Sequence, residues 1–299
     1  MKWQPVCHFM IRDERFIATY SIHQFSIISY LYKMISRNMR VTLIEDDIVW
    51  GDRDANFKQL ERNMRNMADD TDLVILPELF TTGFMTGDRE QAAAVAEWNS
   101  GDTLRKLRKL ADEFHVGIIG SFLANTAAQL YNRAFFIEPN GDETYYDKRH
   151  LFSFGGEDKV FNLGLTKSPI VRFRGFNIKF VVCYDLRFPV FCRNVNNNYD
   201  LLVVIANWPK SREKVWRTLL AARAIENECY VCGVNRCGTD PAGVEYPEGS
   251  SLVIDFKGKV IAQRMTSPII TADLSPAQLA QFREKFPAWR DADSFTLNI

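Results

Sequence analysis

The chain has 299 residues, 46% of them hydrophobic, which is enough to bury one sizeable core. Its 37 acidic and 37 basic side chains cancel, so no overall field attracts nucleic acid or an anionic membrane surface. No stretch approaches the roughly 20 apolar residues that span a bilayer. Six cysteines without the dense spacing of a disulfide scaffold predict thiols kept reduced in the cytosol. We therefore expect a soluble, cytoplasmic protein.

Residues 1–38 are predicted to be an N-terminal extension. The apolar run 25–32 follows the charged residues 12–15 and precedes no small-residue cleavage site, which argues against a signal peptide. Met34 and Met39 come just before the first clear strand. The extension is therefore interpreted as a poorly packed segment or an artefact of start-site choice, with an amphipathic docking helix as the alternative. The folded domain is predicted to cover residues 39–299.

From residue 39 onward, apolar runs alternate with stretches of helical periodicity. Strands are predicted at 41–44, 73–76, 116–120, 134–138, 144–146, 170–173, 177–182, 201–206, 230–235, 251–255 and 260–263. Helices are predicted at 54–67, 102–114 and 212–227. The Asn-Gly pair at 140–141 is a strong hairpin signal, and a second hairpin is expected around 257–258. The pattern predicts an α/β sandwich of mixed sheets.

Three predicted strand ends carry reactive side chains, where α/β folds place their active sites. Glu78 follows strand 73–76, Lys148 follows strand 144–146 and Cys183 follows strand 177–182. Each has an ordinary alternative: a helix-terminal or ion-paired carboxylate, an exposed lysine and a buried structural cysteine. Together they supply the proton acceptor, the cation and the nucleophile of thiol-dependent amide hydrolysis. A helix beginning at Cys183 would also favour the thiolate and bind an oxyanion.

Other residues could indicate a metal site, a cysteine–histidine dyad, a serine nucleophile or a nucleotide cofactor. Cys229, Cys232 and Cys237 have zinc-like spacing, but they lie at a predicted helix-to-strand junction without a second ligand pair, so we predict no metal site. His150 could pair with Cys183 as a dyad, although a packing role is favoured. There is no Gly-x-Ser-x-Gly elbow and no nucleotide-binding glycine fingerprint, so neither a serine hydrolase nor a nucleotide cofactor is expected.

Three motifs carry a resemblance to a known family. They are LPE at 76–78, DKRHLF at 147–152 and CYDLRFP at 183–189. In order and spacing they resemble the nitrilase, or carbon-nitrogen hydrolase, superfamily, from about Met39 almost to the C-terminus. The segments 206–209, 222–227 and 234–236 are similar to its bacterial ω-amidase branch, which hydrolyses the terminal amide of 2-oxoglutaramate and 2-oxosuccinamate. Residues 246–251 depart from the Gly-Asp-Ser run typical of that branch, which affects the expected substrate preference.

The resemblance implies a four-layer α-β-β-α sandwich of two mixed sheets, a homodimer or larger homo-oligomer, and no metal or organic cofactor. It implies that Glu78 is the base, Lys148 the cation beside the oxyanion and Cys183 the nucleophile. Glu157 corresponds to a second glutamate that positions the substrate and Lys148, with an exposed loop carboxylate as the alternative interpretation. The Tyr184 backbone N–H is expected to share the oxyanion with Lys148.

The substrate pocket is less well defined by the sequence. Tyr184, Arg187 and Trp208 are predicted to contact the small amide substrate. The distal carboxylate of a 2-oxo dicarboxylic monoamide needs a cation, and Arg187, Lys210 and Arg212 are equal candidates. The alternatives are another nitrile, carbamoyl or aliphatic amide hydrolase of the same superfamily, and a non-catalytic interaction protein on the same scaffold.

Overall fold

The computed structural model describes residues 37–298. Of the predicted extension 1–38, residues 1–36 lie outside this range, so its interpretation stays a prediction. The strands are β1 Met39–Ile44, β2 Leu73–Ile75, β3 Gly117–Thr126, β4 Gln129–Ile137, β5 Glu143–Asp147, β6 Ile170–Phe173, β7 Phe176–Val182, β8 Leu201–Ala206, β9 Tyr230–Asn235, β10 Gly238–Thr239, β11 Glu245–Tyr246, β12 Leu252–Ile254, β13 Val260–Gln263 and β14 Ile269–Leu274.

Seven α-helices and several short 3₁₀ turns connect the strands in the described range. The helices are α1 Arg53–Asn66, α2 Arg89–Val95, α3 Asp102–Phe114, α4 Glu157–Val160, α5 Pro189–Cys192, α6 Glu213–Glu226 and α7 Pro276–Lys285. The 3₁₀ turns are Ser153–Gly155, Cys183–Arg187, Val195–Asn197, Lys210–Arg212 and Ala288–Asp291.

Two six-stranded sheets share one plan. The first has the order β14-β1-β2-β3-β4-β5 and the second β13-β12-β9-β8-β7-β6. In each sheet three central strands are parallel and the outer pairings are antiparallel. Both sheets are therefore mixed, as the sequence predicts.

Successive side chains along the strands of the first sheet point to opposite faces and contribute to two separate hydrophobic cores. Ile75 and Ile119 point into a core shared with the second sheet, whereas their neighbours Val74 and Ile118 point to the opposite face. On that opposite face they meet Leu107 and other apolar side chains of α1 and α3. Helices α6 and α7 cover the outer face of the second sheet. The order of layers is α-β-β-α, which confirms the predicted fold class.

The predicted elements are confirmed, with shifted ends. β3 continues to Thr126 instead of ending at 120, and β4 begins at Gln129 instead of 134. β14, the small hairpin β10–β11, and helices α2, α4, α5 and α7 have no counterpart in the sequence predictions. β14 is an edge strand that buries only Ile270 and Leu274, so its apolar signal is weak.

Strand direction places the candidate residues at one edge of the molecule. β5 runs parallel to β2, since two antiparallel steps separate β5 from β3. β7, β8 and β9 are also parallel to one another. The segments that follow β2, β5, β7 and β8 therefore leave their sheets at the carboxyl ends of those strands, where polar side chains need not interrupt the cores.

Candidate active site

Glu78, Lys148 and Glu157 form a buried charged cluster. The Lys148 ammonium lies 2.9 Å from Glu78 Oε1 and 2.8 Å from Glu157 Oε2. All three side chains are inaccessible to solvent. The alternative interpretations of Lys148 as an exposed lysine and of Glu157 as an exposed loop carboxylate are therefore wrong. The interpretation of Glu78 as an ion-paired carboxylate is correct. Glu78 also lies beside Cys183, the candidate nucleophile.

Two asparagines that the sequence analysis missed hold Glu78. Asn132 donates through Nδ2 to Glu78 Oε1 at 2.7 Å and to Glu157 Oε1 at 3.3 Å. Asn207 donates its backbone N–H to Glu78 Oε2 at 2.8 Å and its side-chain N–H to the Glu78 carbonyl at 2.9 Å. Asn132 occupies a position on β4 that alternates with Leu130 and Ala134 on the buried face. A polar residue at such a position is the signal that could have identified it.

Cys183 sits at the abrupt end of β7. It has a φ of 46° and begins the 3₁₀ turn Cys183–Arg187. Its thiol is free and half-buried. The left-handed backbone turns the chain out of the sheet directly after Val182, so the side chain lies beside Glu78. Non-glycine residues hold this conformation only where the surroundings fix it.

The surrounding charges decide the protonation of these groups. Burial, assisted by the negative charge of Glu78, raises the pKa of Cys183 well above its ordinary value, although Lys148 opposes the shift. This direction of the pKa shift favours the thiol form and suits the predicted role of Glu78 as a base, whereas a helix start alone would favour the thiolate. Burial acts to lower the pKa of Lys148, but Glu157 and Glu78 override it and raise the pKa. Burial raises the pKa of Glu157, with Glu78 adding to the effect.

His150 does not form a dyad with Cys183. Its Nδ1 lies 2.8 Å from Asp185 Oδ1, and its ring stacks on Phe188 with centroids 3.8 Å apart. The predicted packing role of His150 is confirmed.

A cavity of about 470 Å³ opens beside the cysteine. Cys183, Tyr184, Arg187 and Trp208 line it together, so the structure brings the predicted substrate-contact residues to one place. The Trp208 ring lies against Trp216, with centroids 5.3 Å apart, and its Nε1 donates to the backbone of the Lys210–Arg212 turn. These contacts make the ring a fixed wall of the cavity.

The structure separates the three candidate cations. Arg187 and Arg212 line the cavity, whereas Lys210 does not. The Lys210 ammonium lies 2.7 Å from Glu245 Oε2, outside the cavity. The Arg187 guanidinium stacks over the ring of Tyr184 and over that of Trp208, at 5.9 and 5.7 Å from their centroids.

Much of the remaining wall comes from segments far apart in sequence. These residues are Trp50, Phe84, Thr86, Gly87, Phe152, Gly155, Asn207, Pro209, Asp240, Pro241, Ala242, Val244 and Tyr246. Several belong to the hairpin β10–β11, which the sequence does not predict. The Asp240 carboxylate accepts hydrogen bonds from Ala242 N and Val244 N at 2.9 Å, so it shapes the hairpin turn.

Residues 37–298 contain neither a metal-binding cluster nor a membrane-spanning helix. Over this range, no group of three or more His, Cys, Asp or Glu side chains is placed to hold a metal ion. Cys229, Cys232 and Cys237 are buried free thiols. No helix in the same range is both long and apolar enough to cross a membrane.

The fold and the site together define a family. Residues 40–284 match the carbon-nitrogen hydrolase family model, and the chain belongs to this family. It is 41% identical to the ω-amidase YafV of Escherichia coli strain K12 over 261 residues, which cover 87% of this chain and 98% of that protein. It is 30% identical to the 2-oxoglutaramate amidase of Bacillus subtilis strain 168, with 84% of this chain and 96% of that protein covered.

A solved structure agrees with the sequence comparisons. The chain superimposes with a TM-score of 0.82 on XC1258 from Xanthomonas campestris, a CN-hydrolase superfamily protein with an arsenic adduct in its active site. The two are 40% identical, and the match covers 87% of this chain and 99% of the other. The resemblance inferred from the motifs is confirmed.

Proposed function

We propose that this chain is an ω-amidase, which hydrolyses the terminal carboxamide of a 2-oxo dicarboxylic monoamide such as 2-oxoglutaramate or 2-oxosuccinamate. Cys183 is the nucleophile, and the reaction passes through a thioester. The names of the two amidase relatives support the substrate class. The observation that carries the proposal within this molecule is a pair of guanidinium groups, Arg187 and Arg212, on the wall of the cavity that also exposes Cys183.

These guanidinium groups are available to an anion. Within residues 37–298, neither Arg187 nor Arg212 has a carboxylate within ion-pair distance. Arg187 is stacked on aromatic rings, and the Arg212 guanidinium lies 4.8 Å from the ring centroid of Phe152. Stacking fixes the planar group while leaving its N–H donors unused. Bidentate pairing with a carboxylate is the interaction such a group makes best.

The proposed reaction uses the buried cluster as follows. Glu78 takes the proton of Cys183, whose raised pKa keeps the thiol neutral until a base acts. The sulfur bonds to the amide carbon, and the oxyanion is held by the Lys148 ammonium and the Tyr184 N–H. As the second residue of a 3₁₀ turn, Tyr184 has no acceptor for its N–H within that turn.

Collapse of the tetrahedral intermediate breaks the carbon–nitrogen bond. Glu78 returns its proton to the leaving nitrogen, and ammonia departs. Glu78 then takes a proton from water, which attacks the thioester. The carbon–sulfur bond breaks, and Glu78 passes this proton to the sulfur, so the carboxylic acid and the Cys183 thiol are released. The same carboxyl acts as base and acid in each half of the reaction. Contacts from Asn132 and Asn207 keep it in one orientation throughout.

The competing functions predict different sites. A non-catalytic protein has no need to bury a lysine between two carboxylates beside a thiol, since the burial of three charges is costly. A nitrile or simple aliphatic amide hydrolase has no need for cations on the cavity wall. Two arginines therefore favour a substrate that carries an anionic group away from the amide.

Ammonia release tests the proposal. Purified enzyme is assayed with 2-oxoglutaramate, glutamine, asparagine and a simple nitrile. We expect kcat/KM for 2-oxoglutaramate to exceed the others by roughly 100-fold or more, because the oxo acid lacks the ammonium group that two arginines would repel. Comparable turnover of the nitrile, or no ammonia release from 2-oxoglutaramate, would contradict the assignment.

We further propose a cytoplasmic homodimer. Five cysteines of the described range are free thiols, which supports a reducing compartment. Val190, Val195 and Ile225 are exposed apolar side chains. They lie on segments joined by the hydrogen bonds from Arg193 to the Glu226 carbonyl and from the Asn194 N–H to the Asn227 side chain. Ile225→Asp is expected to shift the dimer towards monomer in light scattering coupled to size exclusion.

A further inference from the structure

We propose that Asp185 is a positioning residue for the reaction, because its carboxylate holds together the two backbone segments that carry Lys148 and Cys183. The inference rests on the proposed function of this site. Asp185 is fully buried and is not part of the cavity wall. It therefore acts through other residues and does not touch the substrate.

Both carboxylate oxygens of Asp185 are fully used. Oδ2 accepts from the Val182 backbone N–H at 3.0 Å and from the Tyr146 hydroxyl at 2.9 Å. Oδ1 accepts from the His150 backbone N–H at 3.0 Å and lies 2.8 Å from His150 Nδ1. Four groups of this kind facing two oxygens suit an ionised carboxylate, which accepts at both oxygens.

The groups that contact the Asp185 carboxylate lie on either side of Lys148 and beside Cys183. Tyr146 and His150 stand two residues before and two residues after Lys148, at the end of β5 in the first sheet. Val182 and Asp185 enclose Cys183, at the end of β7 in the second sheet. β5 and β7 lie in different sheets and share no strand pairing. One buried carboxylate thus connects both sides of the lysine with both sides of the cysteine.

Each catalytic candidate needs such a constraint. Cys183 holds a φ of 46°, a backbone conformation that persists only when neighbouring contacts determine it. The Lys148 ammonium must pair with Glu78 and Glu157 and also lie beside the carbonyl that Cys183 attacks. A displacement of about 1 Å between reacting groups can cost on the order of 100-fold in rate.

Asp185→Asn is the direct test, because it keeps the shape and replaces one acceptor oxygen with an NH₂ group that faces donors. We expect kcat for 2-oxoglutaramate to fall roughly 100-fold while KM stays within about threefold. We also expect iodoacetamide to alkylate Cys183 at least roughly tenfold more slowly at pH 7, since the thiolate loses the nearby Lys148 charge that favours it when the two segments separate.

Asp200→Asn is the matched control. The Asp200 carboxylate also joins two elements, accepting from Asn177 N at 2.9 Å and from Arg283 Nη1 at 2.7 Å, but at the opposite end of β7. It should lower the melting temperature while leaving kcat and the alkylation rate unchanged. Equal losses of kcat in both variants would show that Asp185 only stabilises the fold, and would overturn the proposal.

Tyr146→Phe covers the case in which Asp185→Asn does not fold. It removes one donor to Oδ2, and kcat should fall roughly tenfold at unchanged KM. Wild-type kcat and alkylation rate in Tyr146→Phe would likewise overturn the proposal. The alkylation rate needs no substrate, so it tests Asp185 even if the wild-type enzyme fails to hydrolyse 2-oxoglutaramate, which would count against the proposed function alone.

Discussion

Glu78 and Lys148 meet in a solvent-inaccessible ion pair, with the lysine Nζ 2.9 Å from Glu78 Oε1. The pair joins two strand ends that are 70 residues apart in sequence. Because Glu157 binds the same ammonium, Lys148 forms ion pairs with two buried carboxylates. We therefore expect a change at Lys148 to affect folding and, under the proposed function, catalysis.

Replacement of Lys148 by Met should reveal both roles. The change keeps most of the side-chain length but leaves two buried carboxylates without their cation. We expect the free energy of unfolding to fall by about 3–5 kcal/mol, and kcat to fall at least roughly 100-fold in the fraction that folds. Urea unfolding and ammonia release measure the two effects.

The matched control is Lys58→Met, at an exposed position on α1. It should change the free energy of unfolding by no more than about 0.5 kcal/mol and leave kcat unaltered. Wild-type kcat in a folded Lys148→Met enzyme would remove the lysine from the mechanism.

Cys183→Ala should abolish turnover and leave the protein folded. The side chain is half-buried and contributes little to the core, but in the proposed reaction it forms the covalent bond between enzyme and substrate. Mass spectrometry of acid-quenched wild-type enzyme should show an acyl adduct on the peptide that contains Cys183. Cys232→Ala, in the buried centre of β9, should cost about 1 kcal/mol of stability and keep full activity. An adduct on another residue would contradict the assignment.

Alkylation of Cys183 should depend steeply on pH. Because burial and Glu78 raise the thiol pKa, the thiolate is a minor species at neutral pH and grows about tenfold per pH unit until the pKa is reached. The rate constant with iodoacetamide should therefore keep rising through pH 9. In urea the exposed thiols should level off near the ordinary value of about 8.5. A plateau of the folded enzyme below pH 8 is incompatible with this description of the site.

Arg187→Gln and Arg212→Gln should weaken the use of a carboxylate-bearing substrate. Loss of one charged hydrogen-bonding partner corresponds to about 1.5–3 kcal/mol, or roughly 10–100-fold in kcat/KM for 2-oxoglutaramate. Lys210→Gln should have no such effect, because that ammonium pairs with Glu245 outside the cavity.

An esterified substrate separates charge recognition from other effects. Both arginine variants should process the carboxylate ester of 2-oxoglutaramate about as well as wild-type enzyme does. If wild-type kcat/KM is equal for the acid and the ester, neither arginine binds the carboxylate.

The sequence predicts the framework of this protein better than its cavity. Glu78, Lys148 and Cys183 could be found because each ends an apolar strand, and strand direction then places such ends at one edge. Trp50, Phe84 and Tyr246 could not be found, since they reach the cavity from loops and from the short hairpin β10–β11, whose paths depend on tertiary contacts. Asp185 lies inside the motif at 183–189, but its proposed role depends on Tyr146 and His150, which only the packing of the two sheets brings near.

The pKa of Cys183 depends on distant segments for a related reason. A helix start acts to favour a thiolate, and that is a local property of the chain. Burial of the thiol and the carboxylate of Glu78, which depend on distant segments, raise its pKa.

The face-to-face packing of the two sheets has a consequence for thermal inactivation. Glu78, Lys148 and Asn132 belong to the first sheet, whereas Cys183 and Asn207 belong to the second. A slight slip of one sheet over the other would separate Cys183 from Glu78, its proposed base, while every strand stayed paired. On warming, activity should therefore be lost several degrees below the temperature at which the circular dichroism signal of the strands and helices is lost. Cooling from a temperature between the two transitions should restore activity.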